Sequence, residues 1–377
     1  MSNVEPFPSG ASIALDTVGA HDVFCDWITI YQDHFGGGLP VLNDGYMVRF
    51  AADAFTRSVD LATGALRAMF DASKADFTVS QRVQHEGSFD TRLSVRCDGT
   101  RVELSGNVGR FGRRDNVFGL PVLETIERAN EILAALGLSP FSHNEKNFEQ
   151  SRTNSFHTSH NAVITRVDLT ANYAAGSRQD AFRVLNWMSG QATQRNAGKN
   201  PINYGNGITW NEGSKRHYEK LYYKADELGM HVAQEVRDYC EQNGILRYEV
   251  SIKSKELARY DLQNMVTWSK VSPEGLRMDN VIFGKFSEVL TRNQVSVTDL
   301  GQIPGKLGLI ARLYIDGNNP YESQPVGLST RRRWRAKLLP YGLDIAQPID
   351  VTRIAHRVRI IELQPLAAPD WYQRTAA

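Results

Sequence analysis

The chain has 377 residues and carries 43 lysines and arginines against 42 aspartates and glutamates, a net charge of +1. With 41% apolar and 23% charged residues it has the make-up of an ordinary globular protein, long enough for two domains, which excludes a disordered or fibrous chain. No long uncharged apolar run suggests a membrane span, and near-neutrality leaves nucleic acid open as a partner, because only local clusters of positive charge matter there.

Residues 1–20 read as a loose lead-in. MSNVEPFPSGASIALD lacks a basic start followed by an apolar core, so no secretory signal is expected and a cytoplasmic location is. FCDWITIYQDH (24–34) is a first strand. Alternating segments follow at 45–50, 77–84, 89–97 and 100–105, with Asp98-Gly99 as a hairpin turn between the last two. Residues 120–137 have apolar positions at helical spacing and Gly137 as a stop. After a polar stretch at 138–160, AVITRVDLTANY (162–173) is a strand, and Ser177 with Asp180 caps a helix reaching about Ser189. Strands at 207–210 and 218–224 flank a turn, 225–244 reads as an amphipathic helix, and ILRYEVSIK (245–253) is again a strand. Helical signals dominate past a boundary near 266–275. The expected class is α+β, a largely antiparallel sheet with flanking helices, followed by a mostly helical C-terminal domain. Cys25, Cys97 and Cys240 are few, odd in number and widely spaced, which suits buried reduced thiols better than disulfides or a zinc site.

Side chains alternate faces along a strand, and four strands here oppose an apolar face to a charged one. Val102 and Leu104 oppose Arg101, Glu103 and Ser105. Val163, Thr165, Val167 and Leu169 oppose Arg166, Asp168, Thr170 and Asn172. Leu221 and Tyr223 oppose Lys220, Tyr222 and Lys224. Tyr248, Val250 and Ile252 oppose Arg247, Glu249, Ser251 and Lys253. In one sheet, these strands collect Glu103, Asp168, Glu249, Tyr222 and Lys224 on one surface. Three carboxylates suit a hard divalent cation, and a tyrosine oxygen can attack phosphorus. The same alternation equally describes the solvated face of a half-buried sheet.

His157 and His160 fall in a polar loop, and Gly106 and Gly109 mark a turn that is no phosphate loop, since no Gly-Lys-Ser/Thr follows. Basic residues cluster at Arg110, Arg113 and Arg114, at Lys215 and Arg216, and at Arg331, Arg332, Arg333 and Arg335. Interleaved with Phe111 and Trp334, they suit phosphate contact with base stacking, or simply a solvated surface.

Five segments in order resemble the gene II replication initiators of filamentous bacteriophages: GNVGRFGRRDNVFG (106–119), ITRVDLTA (164–171), TWNEGSKRHYEKLYYKADEL (209–228), LRYEVSIKSKEL (246–257) and PDWY (369–372). The pattern is also similar to plasmid rolling-circle initiators, whose Tyr-x-Lys strand maps onto residues 220–224 and selects Tyr222. The sequence pattern divides the chain into a lead-in at 1–20, a domain at 21–268, to which the resemblance gives the nicking and joining role, and a mostly helical domain at 269–377. The resemblance implies Tyr222 as nucleophile, Lys224 steadying the phosphate or leaving oxygen, and Asp168, Glu249 and Glu103 as ligands of magnesium or manganese. The wider superfamily's His-hydrophobe-His metal motif is absent from the sequence, so carboxylates would carry the metal. The implied activity is origin-specific nicking and rejoining through a 5′-phosphotyrosine, starting rolling-circle replication in the bacterial cytoplasm with a host helicase and polymerase. Two rivals are a non-catalytic DNA-binding replication or repressor protein and a metal-dependent nuclease that uses water.

Overall fold

The computed structural model describes residues 22–34, 37–59, 66–77, 92–143, 161–189, 201–287, 290, 303, 305–315, 318–323, 326–339, 343–347 and 363–374. The expected lead-in, nearly all of the 77–84 segment and the His157–His160 pair lie outside these residues. The described strands are β1 (Phe24–Asp33), β2 (Val41–Leu42), β3 (Val48–Phe50), β4 (Phe55–Val59), β5 (Leu66–Phe70), β6 (Ala75–Asp76), β7 (Leu93–Asp98), β8 (Arg101–Gly106), β9 (Val163–Ala174), β10 (Ile202–Asn203), β11 (Gly207–Trp210), β12 (His217–Tyr223), β13 (Ile245–Lys253) and β14 (Gln364–Leu366). The helices are α1 (Val122–Ala135), α2 (Arg178–Met188), α3 (Gln234–Gln242), α4 (Ser254–Arg259), α5 (Met265–Trp268), α6 (Met278–Phe286), α7 (Gly305–Ile315), α8 (Pro320–Ser323) and α9 (Leu328–Leu338).

One large sheet runs β10-β11-β12-β13-β9-β1-β8-β7-β3-β6, with β14 beside β9 and β2 beside β7; β4 and β5 form a separate hairpin. Every described pairing is antiparallel, as the alternating segments predict. One face of the sheet is the main core. It holds Val102, Leu104, Val167, Leu169, Leu221, Tyr223, Val250 and Ile252, all positions that alternation assigns to the buried side, and the apolar faces of α1, α2 and α6 close over it. Ser177 and Asp180 cap α2 reciprocally, the Ser177 hydroxyl accepting from the Asp180 amide at 3.1 Å and donating to its carboxylate at 2.9 Å. All three cysteines are free and buried.

Alternation fails where β1 and β9 slip register, between Cys25 and Trp27 and again between Thr29 and Ile30. At the second slip Ile164, not Val163, enters the core, because a bulge inserts an extra residue and reverses the parity beyond it. The helix expected at 225–244 is confined to α3. A single 3-10 turn at Lys224–Glu227 precedes it, and Gly229, a weak helix residue, falls in the connecting loop.

Past residue 268 the chain does two things. Ile282, Phe283 and Phe286 of α6 join the sheet's core, whereas Ile303, Ile310, Ala311, Trp334, Leu338, Leu343 and Ile345 build a second core among α7 and α9. The tail then returns: β14 pairs with β9, and Tyr372 packs with Val117, Phe118, Val236, Cys240 and Ile245 on the other face of the sheet.

In the helical unit Arg335 is buried and clasps Asp344 through two bonds of 2.6 and 2.7 Å. Removing the guanidinium strands a buried carboxylate. Arg335→Ala should therefore destabilise this unit by about 3 kcal/mol, while Arg332→Ala, at an exposed position of the same helix, should stay within about 0.5 kcal/mol. Urea titration followed by tryptophan fluorescence would measure both.

Candidate active site

The charged face of the sheet is ordered by register. Tyr222 lies opposite Arg247, which lies opposite Asn172. In the next row Lys220 faces Glu249, Thr170 and Phe24; beyond it come Tyr218, Ser251, Asp168 and Trp27. Tyr222 and Glu249 are diagonal neighbours on adjacent strands, and the Tyr222 hydroxyl donates to Glu249 Oε1 at 2.6 Å. Gly207 makes room behind the tyrosine: it is the β11 partner of Tyr222, and a Cβ there would come within 2.7 Å of the Tyr222 Cβ.

The segment between β8 and α1 folds over one end of this face. Arg247 is fully buried beneath it and donates to Asn172 Oδ1 at 3.0 Å and to the carbonyl oxygens of Asn116 and Val117, each at 2.6 Å. Asn172 in turn donates to the Val117 carbonyl at 2.5 Å. Lys224 opens the 3-10 turn after β12, is buried, and donates to Asn116 Oδ1 at 2.9 Å. The side-chain amides of Asn116 and Asn107 converge on Asp26 Oδ1 at 2.8 and 2.9 Å. Asp26 sits at the first β1 bulge, which is how an aspartate beside the core residue Cys25 comes to face this network.

Burial sets the electrostatics. It pushes the Tyr222 phenol well above its usual range, helped by the negative charge of Glu249. It lowers the Lys224 ammonium to about 7, helped by the positive charge of Arg247, so this amine gains and loses a proton near neutrality. A phenol held on a carboxylate, beside an arginine and a near-neutral lysine, has a proton acceptor in place and positive charge nearby for an oxyanion.

The structure brings Tyr222, Glu249 and Lys224 together, with Asp168 one row along from Glu249 and Glu103 farther off. Asp168 is clasped by Arg166 at 2.9 and 2.6 Å, and that arginine lies over the Trp27 ring. Glu103 pairs with Tyr31, four positions along β1 from the partner of Asp168, or about 13 Å along the strand. Among the described residues no group of three His, Cys, Asp or Glu side chains is placed to hold a metal ion. The three expected carboxylates therefore form no all-protein cage; magnesium is usually held by one or two carboxylates together with water and substrate phosphates.

The basic clusters divide the same way. Arg114, Lys215, Arg216, Arg332 and Arg333 are exposed, and Arg331 is half-buried over the Tyr321 ring. Arg110 is buried. Arg113 turns inward to the carbonyls of Gly109 and Phe118 at 3.3 and 2.8 Å, and Arg335 is spent on Asp344. Phe111 and Trp334, expected as stacking platforms, are buried in the two cores instead, since packing recovers more apolar area than exposure would. Sequence reasoning named no role for Arg247, Asn116, Asn172 or Asp26. An aspartate inside an otherwise apolar strand was the available signal for the last.

Known proteins share this sequence pattern. Residues 51–271 match the family model for the N-terminal part of a phage replication-associated protein, and residues 308–376 match the model for its C-terminal part. The replication-associated protein of Escherichia phage If1 is 26% identical over 323 residues, covering 75% of this chain and 97% of that protein. Among solved structures, the rolling circle replication initiator protein of Geobacillus stearothermophilus superposes with a TM-score of 0.28 at 11% identity, over 64% of this chain and 78% of that one, too loosely to carry an argument.

The lysine gives a test of the site's electrostatics. Its pKa is depressed on folding, so between about 7 and its unfolded value the unfolded chain binds more protons, and stability contributed by this group rises with pH across that window and is lost as pH falls toward 7. The stability difference between the wild type and Lys224→Met, measured by urea titration from pH 7 to 9, should shift in favour of the wild type as pH rises.

Proposed function

The chain belongs to the phage replication-associated protein family, and we propose that it initiates DNA replication by nicking one strand of origin DNA with Tyr222 as the nucleophile. The hydrogen bond from the Tyr222 hydroxyl to Glu249 carries this reading. Glu249 takes the phenolic proton as the oxygen attacks the scissile phosphorus. The bond from phosphorus to the 3′ oxygen breaks, leaving a 5′-phosphotyrosine and a 3′-oxygen. Lys224, poised to exchange a proton near pH 7, protonates that oxygen, and the charge of Arg247 favours the developing negative charge. Storing the phosphodiester on the tyrosine allows later rejoining without ATP. A free 3′-hydroxyl is what a host polymerase extends, with a host helicase opening the duplex ahead, in the cytoplasm of the infected bacterium.

The exposed cations Arg114, Lys215, Arg216, Arg332 and Arg333 are the phosphate contacts in this proposal, with Arg331 beside them. Asp168 is held by Arg166 and Glu103 lies farther along β1, so neither enters a step, and the divalent ion expected with them enters none. A requirement for magnesium or manganese would assign the coordination to groups on the DNA or to rearranged side chains.

The test uses supercoiled origin DNA with full-length protein, in magnesium, in manganese and with a chelator. Wild type should yield nicked circles and a protein–DNA adduct that survives denaturation. Tyr222→Phe should give neither, and Glu249→Gln should slow nicking by about 10²- to 10⁴-fold. Nicking without an adduct would replace the tyrosine by water, and binding without a cut would make the protein a non-catalytic binder.

A further inference from the structure

The C-terminal tail meets the outer side of the same segment whose inner side holds Arg247 and Lys224. Tyr372 packs edge-on to Phe118 at 5.2 Å, and its hydroxyl accepts from the Phe118 amide at 3.0 Å and from the Arg113 guanidinium while donating to Asp115. Asp115 also accepts from the Val117 amide at 3.0 Å. One phenol thus ties together residues 113, 115 and 118, and the intervening Asn116 and Val117 present the amide and carbonyl oxygens that Lys224 and Arg247 use. The tail itself is fastened on both sides of this contact. β14 pairs with β9 from Asn172 to Ala174, and Asp22 accepts from the Ala368 amide at 3.1 Å and pairs with Arg374.

We infer that the tail is a built-in wall of the nicking site, with Tyr372 a positioning residue that holds the Asn116–Val117 turn over Lys224 and Arg247. The inference rests on the Tyr222 reading for its catalytic consequence but not for its structural one. Loss of the Tyr372 hydroxyl frees the turn, and Asn116 then no longer fixes the lysine amine. The tail also follows the helical unit in the chain, so the catalytic face is completed only after that unit has been synthesised.

The experiment has two readouts on full-length protein. In the first, brief acylation with limiting acetic anhydride at neutral pH, followed by mass spectrometry, reads the accessibility of Lys224 without any need for activity. Tyr372→Phe keeps the ring and removes only the hydroxyl, and should speed labelling of Lys224 by about tenfold, the scale of a lost hydrogen bond to charged groups. In the second, origin nicking by Tyr372→Phe should lose turnover by about tenfold with little change in KM for DNA. Combined with Asn116→Ala it should lose little beyond the Asn116→Ala variant alone, because both act through one chain of contacts. A residue that merely stabilised the fold would leave labelling of the folded fraction unchanged and add its effect to that of Asn116→Ala; either result overturns the inference. Should Tyr372→Phe fail to fold, Asp115→Asn probes the same hydroxyl with the ring untouched. If wild type forms no adduct, the Tyr222 reading fails, while the labelling contrast still decides the role of the tail.

Discussion

Arg247 lies fully buried on a sheet face that elsewhere carries charge toward solvent, and a buried charge costs several kcal/mol unless its donors are met. Asn172 and the carbonyls of Asn116 and Val117 meet its Nε and Nη2 donors, while the buried Nη1 has no hydrogen-bond partner among the described residues. That need explains why the segment before α1 folds down onto the sheet. Once there, the segment shelters Lys224, and sheltering lowers the affinity of the amine for its proton. The chemistry of the site thus follows from how one guanidinium is held.

Small residues let the parts approach. Phe24 lies under the same segment with the Arg247 guanidinium 5.3 Å from its ring centre, and at Gly119 a Cβ would stand 2.5 Å from that ring. Tyr222 has the matching arrangement with Gly207 on the neighbouring strand. At both positions glycine is required by contact distance, and the backbone can come close only because no side chain intervenes. The Tyr222–Glu249 pair then sits at a diagonal on rigid paired strands, a better support for a reacting group than a loop.

The arginines show how one residue type serves two ends. Arg113, Arg335 and Arg247 are held by internal acceptors in fixed geometry, where the planar fork can satisfy two partners at once. Arg114, Arg332 and Arg333 keep their charge at the surface. In both basic runs, neighbours in sequence are divided between these roles. A run of positive charge in a sequence is therefore no measure of the positive charge offered to a partner.

The period-two pattern by itself determined the large antiparallel sheet, much of its buried face and the placement of Tyr222 and Glu249 on the opposite face, because alternation is a local property of extended chain. β13 runs from Ile245 to Lys253, as its unbroken alternation indicates. Only the tertiary structure decided that Glu103 lies away from Asp168, since a shared face says nothing about register along it. Only it decided that Asp26 joins the site, since a bulge is a property of two paired strands and not of one. The same holds for Asn116, Arg113 and Tyr372, whose partners lie far off in the chain: hydrogen bonds across more than a hundred residues leave no periodic trace in the sequence, and they form only when the tail has returned to the sheet.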